Sequence, residues 1–208
     1  MKIAVLANTD LKEELLAQGI KDSVELLWPN NISEFLNYKN TDAYIDLLFE
    51  NEETRIKQLA SVQTEIIVVN SVIVTGLPEN FIRINGWPTF LKRSLIEASC
   101  KNEDMKTKVE KIFSSFTKKI EWTPDIPGFL TTRVIAMIIN EAYFALDEKV
   151  STKEEIDLAM KLGTNYPYGP FEWSEIIGLK NIYSLLSELK KTNSRYVPAP
   201  LLKKEALL

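Results

Sequence analysis

Histidine is absent from the 208 residues. Without an imidazole there can be no Ser-His or Cys-His nucleophile pair, no imidazole general base and no histidine-ligated metal. No metal site is expected. Glycine is scarce: there are seven, and before Gly86 only Gly19 and Gly76 occur. That spacing cannot form the glycine-rich loop whose amides cradle a phosphate. A single cysteine, Cys100, excludes an internal disulfide and fits a reducing compartment. Basic charge is also short: the formal net charge is −4, which argues against a nucleic-acid partner. The apolar run at 134–139 is far too short to cross a bilayer, so no membrane partner is expected. The N-terminus reads straight into a strand, without a charged-then-apolar leader, and cytoplasm is the expected compartment.

What is present reads as two halves. Residues 2–7 form an apolar run suited to a buried parallel strand. An amphipathic helix over 11–18 follows, closed by Gly19. Residues 24–28, 44–49 and 65–69 read as further strands, with 81–84 and 94–98 as weaker ones. Val109, Ile112, Phe113 and Phe116 mark one face of a helix over 103–118. Strands alternating with helices predict a mostly parallel α/β sheet. From Asp125 the pattern turns helical. Residues 129–150 read as a long apolar helix, buried on most sides. Ser151-Thr152-Lys153-Glu154 reads as a capping box opening a helix that Gly163 stops. Pro170 opens a short helix that Gly178 ends, and residues 180–191 form another. The expected domains are 1–123 and 124–208.

The second half carries a resemblance. Asp125-Ile126-Pro127-Gly128-Phe129, Arg133, Asn140-Glu141-Ala142 and Ala159-Met160-Lys161-Leu162-Gly163 follow the order of a known pattern. Tyr166-Pro167-Tyr168-Gly169-Pro170-Phe171-Glu172, Gly178-Leu179 and the tail Tyr196-Val197-Pro198-Ala199-Pro200 continue it. This stretch resembles the C-terminal domain of 3-hydroxyacyl-CoA dehydrogenases. The resemblance implies a truncated Rossmann-like domain followed by an all-α domain, the latter carrying the subunit interface and half of an acyl-CoA cleft. A homodimer and a possible acyl-CoA ligand follow as expectations.

Set against that family, the chain departs at all but one of the aligned functional positions. The family's first strand runs into Gly-x-Gly-x-x-Gly, which lets a pyrophosphate approach a helix N-terminus. Here those glycine positions are Ala7, Thr9 and Lys12, and Asp10 is placed to cap the helix and repel phosphate. The acid that would bind ribose is replaced by Trp28. The family's histidine, twelve residues before a glutamate, aligns with Asn85, and that glutamate with Glu97. Its substrate-contacting serine aligns with Val72, and its helical-domain asparagine with Thr132. Asparagine cannot usefully take a proton near neutral pH. Of the four polar positions only Glu97 is kept, and a buried structural carboxylate is the commoner role for such a residue. The expectation is a degenerate, non-catalytic family member that binds no NAD, either an acyl-CoA-binding or an interaction homologue. The alternative is an NAD-dependent dehydrogenase with an atypical site.

Overall fold

In the first strand, β1 (Lys2–Leu6), successive side chains part: Ile3 and Val5 join one buried cluster, Ala4 and Leu6 another. A strand apolar on both faces belongs inside a sheet covered on both sides. The computed structural model, which describes residues 1–208, places it there. The chain forms two units, Met1–Phe129 and Leu130–Leu208.

The first unit runs β1, α1 (Thr9–Leu16), β2 (Glu25–Leu27), α2 (Ile32–Asn37), β3 (Ala43–Asp46), α3 (Glu53–Ala60), β4 (Ile67–Asn70), β5 (Phe81–Ile84), β6 (Leu95–Ser99), α4 (Lys106–Ser115) and β7 (Lys119–Trp122). The sheet order is β2-β1-β3-β4-β5-β6-β7. Neighbours pair in parallel except β5 and β6, so the sheet is mostly parallel, as expected. On one face Val109, Ile112 and Phe113 of α4, with Phe116 just after it, cluster with Ile3, Val5, Ile45 and Val68. On the other, Phe35 of α2 and Leu59 of α3 cover Ala4, Tyr44 and Val69. A doubly wound dinucleotide-binding sheet carries a further strand outside the second one; here β2 is the edge.

Several local expectations are corrected. Asp10 does not cap α1: the Asn8 side chain accepts from Leu11 N at 2.9 Å, and Asp10 sits exposed in the first turn. Two residues earlier, Asn8 has the extended backbone that a cap needs. The third strand stops at Asp46, and the helix expected through 118 ends at Ser115 because Thr117 turns left-handed, φ 57°, and the chain enters β7.

The second unit holds α5 (Thr131–Asp147), α6 (Lys153–Thr164), α7 (Pro170–Ile177), α8 (Leu179–Lys190) and α9 (Pro200–Ala206). The capping box lies one residue later than expected. Thr152 accepts from Glu155 N, and the Glu155 carboxylate returns to Thr152 N. Gly163 does not stop α6, which runs through it to a left-handed Asn165. As expected, α5 is buried or half-buried over most of its surface, with Ile135, Ala136, Ile139 and Tyr143 in the core and Val134, 49% exposed, on its open side. The start of α7 is fixed by Asp157, whose two carboxylate oxygens accept from Phe171 N at 2.8 Å and Glu172 N at 3.0 Å. Gly169 permits this approach, since a Cβ there would lie 2.3 Å from Asp157 Cγ. Asn140 pins the tail, donating to Val197 O and accepting from Ala199 N.

Candidate functional site

The ends of β4 and β5 and the body of β6 gather the polar residues of the first unit. Asn70 closes β4, and its amide donates to Leu47 O (3.2 Å) and Gly86 O (3.1 Å) while accepting from Gly86 N (3.0 Å). Gly86 must be glycine: a Cβ would lie 2.8 Å from Asn70 Cγ. Asn85 follows β5 directly. Its backbone N donates to Glu97 O at 3.0 Å, and its side-chain amide donates to Glu97 Oε2 at 2.9 Å. Both residues are buried. The two positions that the family resemblance linked are therefore in contact across the antiparallel β5–β6 pair. An amide donating to a carboxylate can orient a ligand, but neither atom of the amide serves as a proton acceptor near neutral pH.

Arg83, two residues earlier on β5, is also buried. Its Nε donates to Ser71 O (3.0 Å), Nη2 to Val72 O (3.1 Å), and Nη1 meets the Asp125 carboxylate. Burial pulls its guanidinium below the ordinary value, and Asp125 opposes that pull. Val72 itself is buried in the turn after β4.

The sheet changes winding direction at β1, which pairs β2 on one side and β3 on the other. Ligands of open α/β sheets lie at the strand C-termini at such a point. A crevice of about 370 Å³ opens there, lined by Leu6, Asn31, Leu48, Glu50, Arg55 and Gln58, among others. Asp46, at the end of β3, is fully buried and pairs with Arg55 Nε at 2.8 Å. Burial pushes the Asp46 carboxyl up, with Arg55 acting against it. Of the aligned loop positions, Ala7 packs against the core and Thr9 is the exposed first residue of α1. Lys12 places its ammonium 4.4 Å from the centroid of the Trp28 ring.

Behind this edge, Glu14 of α1 accepts from Thr89 N at 2.8 Å and Gln18 donates to Lys92 O at 3.0 Å, fastening α1 to the loop after Asn85. Lys118 is buried beneath it and donates to Leu91 O (2.7 Å) and Arg93 O (3.0 Å). Burial lowers its ammonium to about 8, with Glu14 acting in the opposite sense. Sequence reading missed Arg83, Asp125, Lys118 and the Lys12–Trp28 contact. Arg83 carried a signal as a charge inside the run Phe81-Ile82-Arg83-Ile84, and Asp125 opened the family motif without a role assigned to it.

Thr132, the remaining aligned position, is fully buried on α5 in the second unit. No group of three or more His, Cys, Asp or Glu side chains is placed to hold a metal ion. No helix is long and apolar enough to cross a membrane.

Comparison with known proteins gives the family. Residues 128–207 match the family described as 3-hydroxyacyl-CoA dehydrogenase, C-terminal domain. A 3-hydroxyadipyl-CoA dehydrogenase of Escherichia coli (strain K12) is 48% identical over 86 residues, 40% of this chain and 18% of that protein. A 3-hydroxybutyryl-CoA dehydrogenase of Bradyrhizobium diazoefficiens is 33% identical over 151 residues, 70% of this chain and 52% of that protein. The chain thus spans about half the length of that relative. The crystal structure of an (S)-3-hydroxybutyryl-CoA dehydrogenase from Ralstonia eutropha superposes with a TM-score of 0.75 at 19% identity, covering 98% of this chain and 92% of that one. At that identity the likeness establishes the fold. Taken with the matched helical half, these relatives show that the chain belongs to the 3-hydroxyacyl-CoA dehydrogenase family.

Proposed function

We propose that this chain is a non-catalytic member of its family, a dimeric acyl-CoA-binding or interaction homologue that does not use NAD. In this reading residues 1–123 are a degenerate dinucleotide-type domain and 124–208 the helical domain. The observation that carries it is the start of α1. Asn8 already satisfies Leu11 N, Asp10 places a carboxylate in the first turn, and Lys12 lies over Trp28. A pyrophosphate needs free amides and the positive end of a helix dipole. Glu50 and Glu52 along the same crevice oppose it further. These residues do not fit a dinucleotide.

Between β5 and β6, Asn85 takes the place of the base and Glu97 holds its amide. Val72 and Thr132 stand where the family has a serine and an asparagine. The relatives' names favour the other reading, an NAD-dependent 3-hydroxyacyl-CoA dehydrogenase with an atypical site. Titration with NADH and, separately, with acetoacetyl-CoA decides between them. Saturable enhancement of NADH fluorescence at micromolar protein overturns the proposal. Binding of acetoacetyl-CoA alone supports an acyl-CoA-binding protein, and binding of neither supports an interaction role.

A further inference from the structure

A charge inside a buried strand needs partners close enough to repay its lost hydration. Arg83, 2% exposed in the middle of β5, finds all of them in two segments distant in sequence. One is the turn after β4, whose Ser71 and Val72 carbonyls accept from its Nε and Nη2. The other is the strap 125–129 that leads into α5, where Asp125 takes Nη1. The same two segments are joined twice more without the arginine. Gly76 N donates to Asp125 Oδ2 at 3.1 Å, and Gly128 N donates to Val72 O at 2.7 Å. The guanidinium also lies 5.0 Å from the centroid of the Phe129 ring, itself 1% exposed.

The strap is not relaxed. Gly128 has φ 85° and Phe129 φ 46°, and a bulky side chain rarely occupies that left-handed region. Such a residue persists only where its surroundings over-determine it. The ring under the guanidinium, the Gly128–Val72 bond and the Asp125 carboxylate are those surroundings.

We propose that Arg83 is a latch that fastens the strap 125–129 to the turn 71–76, so that the two open and close as one unit. Closed, the latch engages the carbonyls of Ser71 and Val72 and buries Phe129. Open, it exposes all three together. Any ligand that addresses the turn carbonyls must compete with the guanidinium, so the latch gates that turn. The inference does not depend on whether the chain binds acyl-CoA.

Native-state hydrogen exchange on the full chain tests it. In the unmodified protein, Gly76 and Gly128 amides should share one opening free energy, lower than that of Val68 in β4. Asp125→Asn keeps the size and removes the charge, whereas Arg83→Lys keeps the charge and removes the planar fork. Losing a hydrogen bond to a charged group should speed Gly128 exchange by roughly ten- to a hundredfold in both variants. Gly76 should accelerate with it, and Val68 should not. Gly76 accelerating alone, no change at either glycine, or equal acceleration at Val68 overturns the latch. If a variant fails to fold, unequal opening free energies for the two glycines in the unmodified protein overturn it independently.

Discussion

The side-chain amide of Asn85 donates to the Glu97 carboxylate at 2.9 Å, across the one antiparallel pairing in the sheet. An imidazole at position 85 would meet the same carboxylate. General acid–base catalysis contributes about 10² to 10⁴ in rate, and only to a substrate and hydride donor already in place. Asn85→His is therefore expected to show no dehydrogenase activity with acetoacetyl-CoA and excess NADH. Turnover clearly above the parent chain would mean that the hydride carrier is held after all.

The outer face of α5 leaves Leu130, Val134, Met137 and Ile138 along a groove of about 610 Å³, with Arg133 and Tyr196 beside them. A contiguous apolar stripe of this kind marks an association surface. The chain is expected to be a homodimer through its helical half, and Val134→Asp should shift it to monomer without changing its far-UV circular dichroism. A monomeric mass for the unmodified chain by light scattering at micromolar concentration would refute this.

Asp157 satisfies two amides at the start of α7 at once. Charge-assisted bonds of this kind are worth more than a neutral cap, so Asp157→Ala should cost about 2–3 kcal/mol in urea denaturation. Gly169→Ala should cost about 1–3 kcal/mol by forcing a Cβ into the same carboxylate. A loss below half a kcal/mol in either would show that the helix start is held by something else.

Lys118 gives a signature in pH. Its folded-state value, about 8, lies below the ordinary 10.5, so the unfolded chain binds more protons between those limits. Stability from this group must rise as pH increases through that window and stay level below it. Comparing the parent with Lys118→Met at pH 7.5, 9 and 10.5 isolates the contribution of this ammonium. The parent should gain on the variant as pH rises, and a constant difference would show that the ammonium is not desolvated.

Much of this architecture was readable from periodicity. Ile3-Ala4-Val5-Leu6 and Ile67-Val68-Val69 are apolar on both faces, and the stripe of Val109, Ile112, Phe113 and Phe116 spans enough turns to declare a helix. By contrast α2 is six residues and α3 eight, too short for a period to stand out. The cap of α6 slipped by one because Ser151 and Thr152 are both hydroxyl residues, and only geometry selects Thr152. At the site, the resemblance to the family, which pairs position 85 with Glu97, implied the contact that the Asn85 amide makes. The Arg83–Asp125 pair spans 42 residues, and Lys118 meets Leu91 and Arg93 from the far end of the unit. Local pattern carries no record of such partners.

The place of β1 in the sheet bears on how the chain can be made. Its register partners in β3 are Ala43 to Asp46, and β2 supplies only three residues on its other side. During synthesis each residue of the first strand therefore waits for its partner forty residues further along the chain. Non-local parallel pairing must meet loop-closure entropy before it is rewarded, which makes it slow. The helical unit, whose helices follow one another through short turns, faces no such delay. Until β3 and α4 are in place, Ile3 and Val5 lack the neighbours that bury them, and an uncovered apolar strand is the kind of surface through which incomplete sheets associate.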